Sequence, residues 1–127
     1  MTPATPRPWQ SWDGAPDPGT VLCKLDDIED GGTKPLSFGS GTKLFDMFIL
    51  RQGETARAYV NSCPHVGSPL DFPPNKFFNA ERTHLRCATH DAQFEIEDGL
   101  CVAGPCKGQA LSKIPIAIED GMIVLQD

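Results

Sequence analysis

The chain has little of what most binding and catalytic devices use. Its 127 residues include one tyrosine, two tryptophans and three histidines, and 11 basic side chains stand against 17 acidic ones. A net charge of −6 and a pI near 4.9 exclude the basic face that a phosphate backbone or an anionic membrane would require. The natural complement is a basic protein partner. No stretch approaches the roughly 18–20 apolar residues that a membrane-spanning helix needs, and the N-terminus lacks the basic start and apolar run of a secretory signal. Cytoplasm is therefore the expected compartment. Five cysteines is an odd number for a disulfide framework, and a chain of this length buries a core without one.

Sustained helical stripes are also missing, which leaves short strands and turns. "TVLCKL" (20–25), "TKLFDMFIL" (42–50) and "ARAYV" (56–60) read as strands, and "KIPIAI" (113–118) puts Ile114, Ile116 and Ile118 on one face at period two. Turn chemistry separates them: "QGE" precedes "ARAYV", and "EDG" occurs at 97–99 and at 119–121, each followed by apolar residues. "FGSGTKL" (38–44) lacks phosphate-loop spacing and reads as a hairpin, while "DDIED" (26–30) is the best place for a helical turn. The fold class is all-β. Residues 1–19 carry five prolines and read as an extended tail or strap that Trp9 and Trp12 would pin, leaving 20–127 as a single domain.

What the chain does have is two close pairs of thiol and imidazole. "NSCPHVGSPL" sets Cys63 and His65 on either side of Pro64, whose ring stiffens the turn. "LRCATHDAQF" sets Cys87 and His90 two residues apart, and 21 residues, 66–86, separate the pairs. Two chemistries compete for four such ligands. A structural zinc site takes two cysteines and two histidines tetrahedrally, but zinc knuckles usually space paired ligands by two or more residues. A [2Fe-2S] centre with two cysteines on one iron and two histidines on the other requires each loop to reach both irons, so each must present one of each. Both loops do, and the cluster is the better reading. His84, three residues before Cys87, fits an exposed strand position and not a ligand. Cys23 reads as a small buried core residue, and Cys101 and Cys106, flanking "VAGP", as reduced thiols.

From about Val21 to its C-terminus the chain resembles the Rieske-type ferredoxins. The likeness rests on "CPH", "CATH", "DGLCVAGP" and the closing "KIPIAIEDGMIVL". It implies a fold of stacked antiparallel sheets with a cluster-binding part at about 62–107. It also implies one [2Fe-2S] cluster, Cys63 and Cys87 on one iron, His65 and His90 on the outer iron, and Gly104 and Pro105 in a covering loop. Asp91 departs from the glycine usual after the second histidine, and the insert between the pairs is a few residues longer than usual. Respiratory-chain members carry a loop disulfide where Ser68 and Thr89 stand here, and a serine donating toward cluster sulfur where Ala92 stands. Loss of donors disfavours the added electron, so the resemblance implies the oxygenase-ferredoxin side of the family, near the low end of its range, about −150 mV.

No nucleophile and base can be paired from the sequence, and no catalytic residue is expected. The implied function is a one-electron carrier from a reductase donor to a terminal oxygenase. Alternatives are a small electron-transfer subunit of a reductase of the nitrite-reductase type, or, in a different class, a zinc-dependent interaction module.

Overall fold

The computed structural model describes residues 14–40, 43–62, 70–71, 77–79, 83–87, 92–104 and 107–126. Trp9 and Trp12 lie outside them. The described residues are strands and turns with one short 3-10 helix, as expected from the lack of helical stripes. Two compact units form. One takes the described residues between 61 and 113, and the other takes those of 14–60 and 114–126.

The second unit holds two antiparallel sheets. In the first, β1 (Val21–Lys24), β10 (Met122–Leu125) and β9 (Ile116–Glu119) lie in the order β1-β10-β9. In the other, β2 (Thr33–Ser40), β3 (Lys43–Gln52), β4 (Thr55–Val60) and β8 (Lys113–Ile114) lie in that order. Alternation along β3 sends Phe45, Met47 and Ile49 into a core with Leu25, Ile28, Ala58, Val60, Ile114, Ile123 and Leu125. Each fully buried side chain of this size contributes about 1.5–3 kcal/mol. Phe48 and Leu50, on the opposite face of β3, are equally buried. The Phe48 ring packs at 5.9 Å on Tyr59, its register partner on β4.

Turns fall where their chemistry places them. β9 turns into β10 through Asp120 and Gly121, both with positive φ (51° and 77°), the conformation a two-residue hairpin needs. Gly53 (φ 62°) turns β3 into β4. The 3-10 helix, Leu25–Asp27, sits at the start of "DDIED". Its carbonyls are met from β3: Arg51 Nη1 donates to Ile28 O (3.0 Å) and Leu25 O (3.3 Å), and Nε donates to Gly53 O (2.7 Å). The carboxylates of Asp26 and Glu54 near Arg51 are almost fully exposed and add little.

Two expectations change. "KIPIAI" is not one strand, because Pro115 breaks it into β8 and β9, which join different sheets. Ile114 is then buried while Ile118 is exposed. Cys23 is half-buried at the margin of the core instead of inside it. Burial, and secondarily the Asp27 carboxylate, push its thiol pKa up from 9.0, with Lys34 opposing.

In the first unit, β5 (Leu85–Arg86), β6 (Gln93–Phe94) and β7 (Cys101–Ala103) form an antiparallel sheet in chain order. Leu85 pairs with Phe94 and Arg86 with Gln93, while Phe94 pairs with Cys101. The first "EDG" turns β6 toward β7, with Gly99 at φ 74° and its N–H donating to Glu95 O (2.9 Å).

Candidate metal centre

The β5–β6 ladder continues one step past its last paired residues. Cys87 N donates to Ala92 O at 2.9 Å, so Cys87 sits at the base of a hairpin whose far side begins with Ala92. Both residues are fully buried. A thiol here is withheld from solvent on backbone fixed by the sheet, which suits a permanent ligand better than a reactive nucleophile. His90 and Asp91, between these two residues, lie outside the described residues, as do Cys63 and His65. Of the four expected ligands the structure therefore places Cys87 alone.

Around the first pair the description covers both flanks. The chain leaves β4 through Asn61 and Ser62 and is described again at Leu70 and Asp71. The Asn61 side chain joins these flanks: Oδ1 accepts from Leu70 N (2.8 Å) and Nδ2 donates to Asp71 Oδ1 (2.8 Å). Sequence reasoning passed over Asn61. Its only signal was an amide two residues before the cysteine, in a stretch that must turn back on itself.

A third segment comes close to the second. After β7, Gly104 adopts φ 99°, and a Cβ placed on it would fall 2.7 Å from Ala92 Cα and 3.0 Å from Ala92 Cβ. Only a glycine lets these backbones approach so closely. The resemblance marked Gly104 as part of a covering loop, and its contact with Ala92, the residue paired to Cys87, supplies a physical reason for a glycine there. Pro105 and Cys106 fall outside the described residues. Cys101 is buried on β7, and its thiol donates to Ala103 O (3.2 Å).

His84 is half-buried and not exposed, and its ring is already engaged. Nδ1 lies 3.0 Å from Thr83 Oγ1, and Nε2 lies 3.8 Å from Glu95 Oε1. Beside it Asn79, also passed over from sequence, is buried and accepts from Thr83 N (2.9 Å) and His84 N (3.2 Å) through Oδ1. Its Nδ2 donates to Thr83 Oγ1 (3.0 Å) and reaches Gln93 Oε1 at 3.4 Å. Asn79 secures the approach to β5, one strand before Cys87.

These features define a class of protein: an all-β chain in which a buried cysteine sits on sheet-fixed backbone and its ladder partner, Ala92, is met by a close-approach glycine from the segment after β7. The chain belongs to the Rieske [2Fe-2S] domain family, whose model matches residues 19–117. The family's cofactor is the [2Fe-2S] cluster, and a buried thiol on fixed backbone fits it.

Solved structures agree on the fold. The ferredoxin of carbazole 1,9a-dioxygenase from Nocardioides aromaticivorans IC177 superposes with a TM-score of 0.66 at 22% identity, over 87% of this chain and 98% of that one. A ferredoxin of Sphingomonas yanoikuyae B1 gives 0.64 at 22% identity, over 86% and 98%. The terminal oxygenase of carbazole 1,9a-dioxygenase from Novosphingobium sp. KA1 gives 0.68 at 15% identity, over 90% of this chain but 31% of that one. No curated protein matches the chain by sequence.

Proposed function

We propose that this chain is a one-electron carrier that accepts electrons from a reductase and delivers them to a terminal oxygenase. Cys63 and Cys87 bind one iron of its cluster, and His65 and His90 bind the outer iron. The bound cluster supplies a single reversible electron; the chain holds it, limits water around it and presents it to partners. Coverage is the observation that carries the reading. The shared fold spans 98% of the ferredoxin of a carbazole dioxygenase system, and that protein is a ferredoxin serving an oxygenase. The ligand assignment is supported by the family match, since 19–117 contains all four residues, and by the buried, backbone-tied position of Cys87.

The cytoplasm is the compartment we assign. Cys23 and Cys87 are outside disulfides, in keeping with a reducing environment, and among the described residues no helix is long and apolar enough to cross a membrane. The net charge of −6 favours basic docking faces on both partners.

Two measurements test the proposal. Purified protein holds about two irons and two sulfides per chain. Cys63→Ser, Cys87→Ser, His65→Ala and His90→Ala lose them, and His84→Ala keeps them. Iron retained in Cys63→Ser would overturn the ligand assignment. In stopped flow, the reduced protein is re-oxidised by a terminal oxygenase, and the rate of its own reduction by a reductase declines as salt shortens the screening length from about 10 Å at 0.1 M to about 3 Å at 1 M. An iron-loaded protein that passes no electron to an oxygenase would sink the carrier reading.

A further inference from the structure

We infer that Asn61 is a positioning residue for the cluster: its amide ties the two flanks of segment 62–69 together and thereby sets Cys63 and His65 for metal. The inference rests on the ligand assignment above. Its structural basis is the pair of hydrogen bonds to Leu70 N and Asp71 Oδ1, each 2.8 Å.

The chemistry of the two partners fixes the residue type. A backbone N–H can only donate, and an ionised carboxylate can only accept, so the side chain between them must offer one acceptor and one donor. Asparagine does so with its oxygen toward Leu70 and its nitrogen toward Asp71, and the polarity of its neighbours settles the amide orientation. Aspartate would set two carboxylates against each other. Alanine would leave the part-buried N–H of Leu70 without this acceptor. Leu70 itself is fully buried, so the flank that Asn61 holds is anchored on its other side by packing.

The tie lies at the base of the segment, where it restrains the separation of the ends without occupying any position between them. Bringing loop ends together is an entropic requirement that some interaction has to meet. Here a side chain meets it before any metal arrives. Less of the requirement is then left for metal binding to meet.

Asn61→Ala removes two hydrogen bonds, one of them to a charged group. Release of iron to a chelator is expected to accelerate about tenfold to thirtyfold, with an altered visible circular dichroism of the cluster and a shifted midpoint potential. Asp71→Ala removes the bond from Asn61 Nδ2 while leaving that to Leu70 N, and also accelerates release. Asn61→Asp behaves like Asn61→Ala, and the exchange Asn61→Asp/Asp71→Asn, which restores an acceptor for Leu70 N and a donor–acceptor pair, returns the release rate to within about threefold of wild type. Arg51→Ala, which cuts a comparable clamp in the other unit, is the control for general loosening and leaves the cluster's dichroism unchanged.

Wild-type release and spectrum in Asn61→Ala would overturn the inference. So would an exchange variant no better than Asn61→Asp, or the same spectral change in Arg51→Ala. Retention of iron by Cys63→Ser instead refutes the ligand assignment, whatever Asn61→Ala does.

Discussion

Gly104 offers the most direct test of how the loops are built, because the structure separates two costs there that usually come together. A substituted alanine must first adopt φ 99°, a backbone region whose strain for L-residues is about 1–3 kcal/mol. Its methyl must then sit 2.7 Å from Ala92 Cα, 3.0 Å from Ala92 Cβ and 3.3 Å from Ala92 N, where ordinary carbon contacts are about 3.5–4.0 Å. Two of the three atoms are backbone on the strand side of the Cys87 hairpin. They cannot swing aside as a side-chain tip would. Overpacking of this kind adds about 1–3 kcal/mol, so Gly104→Ala is worth about 2–6 kcal/mol against a typical domain stability of about 5–15 kcal/mol.

Gly108 provides the internal control. It lies in the same unit at φ 94°, with nothing within 4 Å of an added Cβ, so Gly108→Ala incurs only the backbone strain. With a urea dependence of about 1–3 kcal/mol per molar, the holoprotein's unfolding midpoint should fall by on the order of 2 M for Gly104→Ala and about half that for Gly108→Ala. Far-ultraviolet and visible dichroism, followed together, show whether cluster and fold are lost in one step. Ala92→Gly in the Gly104→Ala background removes the 3.0 Å contact but leaves the 2.7 Å one, so it rescues only in part. Equal shifts for the two glycines, or complete rescue by Ala92→Gly, would refute the close approach of these backbones.

Two further outcomes follow from a buried residue and a half-buried one. Ala92→Ser adds a hydroxyl at a fully buried position one hydrogen bond from Cys87; if it donates toward cluster sulfur, the midpoint potential measured by redox titration rises from its expected place near about −150 mV, and a fall would contradict the donor argument. Cys23, whose thiol pKa is raised above 9.0 by burial and by Asp27, favours its neutral form in the folded state. Its contribution is therefore complete below about pH 9 and is lost as pH climbs through the raised folded value. Urea midpoints at about pH 8 and about pH 10 should show a smaller decline for Cys23→Ala than for wild type, and equal declines would remove Cys23 from the account.

Regular features were legible because local chemistry decides them. The two "EDG" turns, the turn at Gly53 and the cores of β3 and β4 follow from glycine, acidic turn residues and period-two burial. The division of "KIPIAI" was not legible from periodicity, since Ile114, Ile116 and Ile118 keep their spacing across Pro115. The missing N–H matters only once one knows that the chain changes sheets there. β2 went unread for the converse reason: Pro35 argues against a strand, yet an edge strand paired only to β3 tolerates it. The expected ligands stood out by spacing alone. Asn61 did not, because it meets partners nine and ten residues away; Gly104 was marked through the family resemblance, but its contact with Ala92 across the sheet was not legible.

The described ties share a placement that bears on how a cluster is acquired. Asn61 joins Leu70 and Asp71, Cys87 N joins Ala92 O, and Gly104 lies against Ala92. Each acts at the base of a segment, on residues flanking the expected ligands or covering loop. Were the loops ordered by the metal alone, binding would have to offset about 1–2 kcal/mol of backbone entropy for every residue fixed, and the centre would resemble a zinc finger, folded only when loaded. Ties at the bases shift part of that ordering onto the protein. The two-residue register of Cys87 and Ala92 within the β5–β6 sheet is set by Leu85 against Phe94 and Arg86 against Gln93, pairs that need no iron to form. The sheet is thus expected to survive loss of the cluster, with its amide protons at Cys87 and Phe94 still slow to exchange in the apoprotein. Their exchange at the rate of an unfolded chain would show that iron, and not the sheet, builds this half of the site.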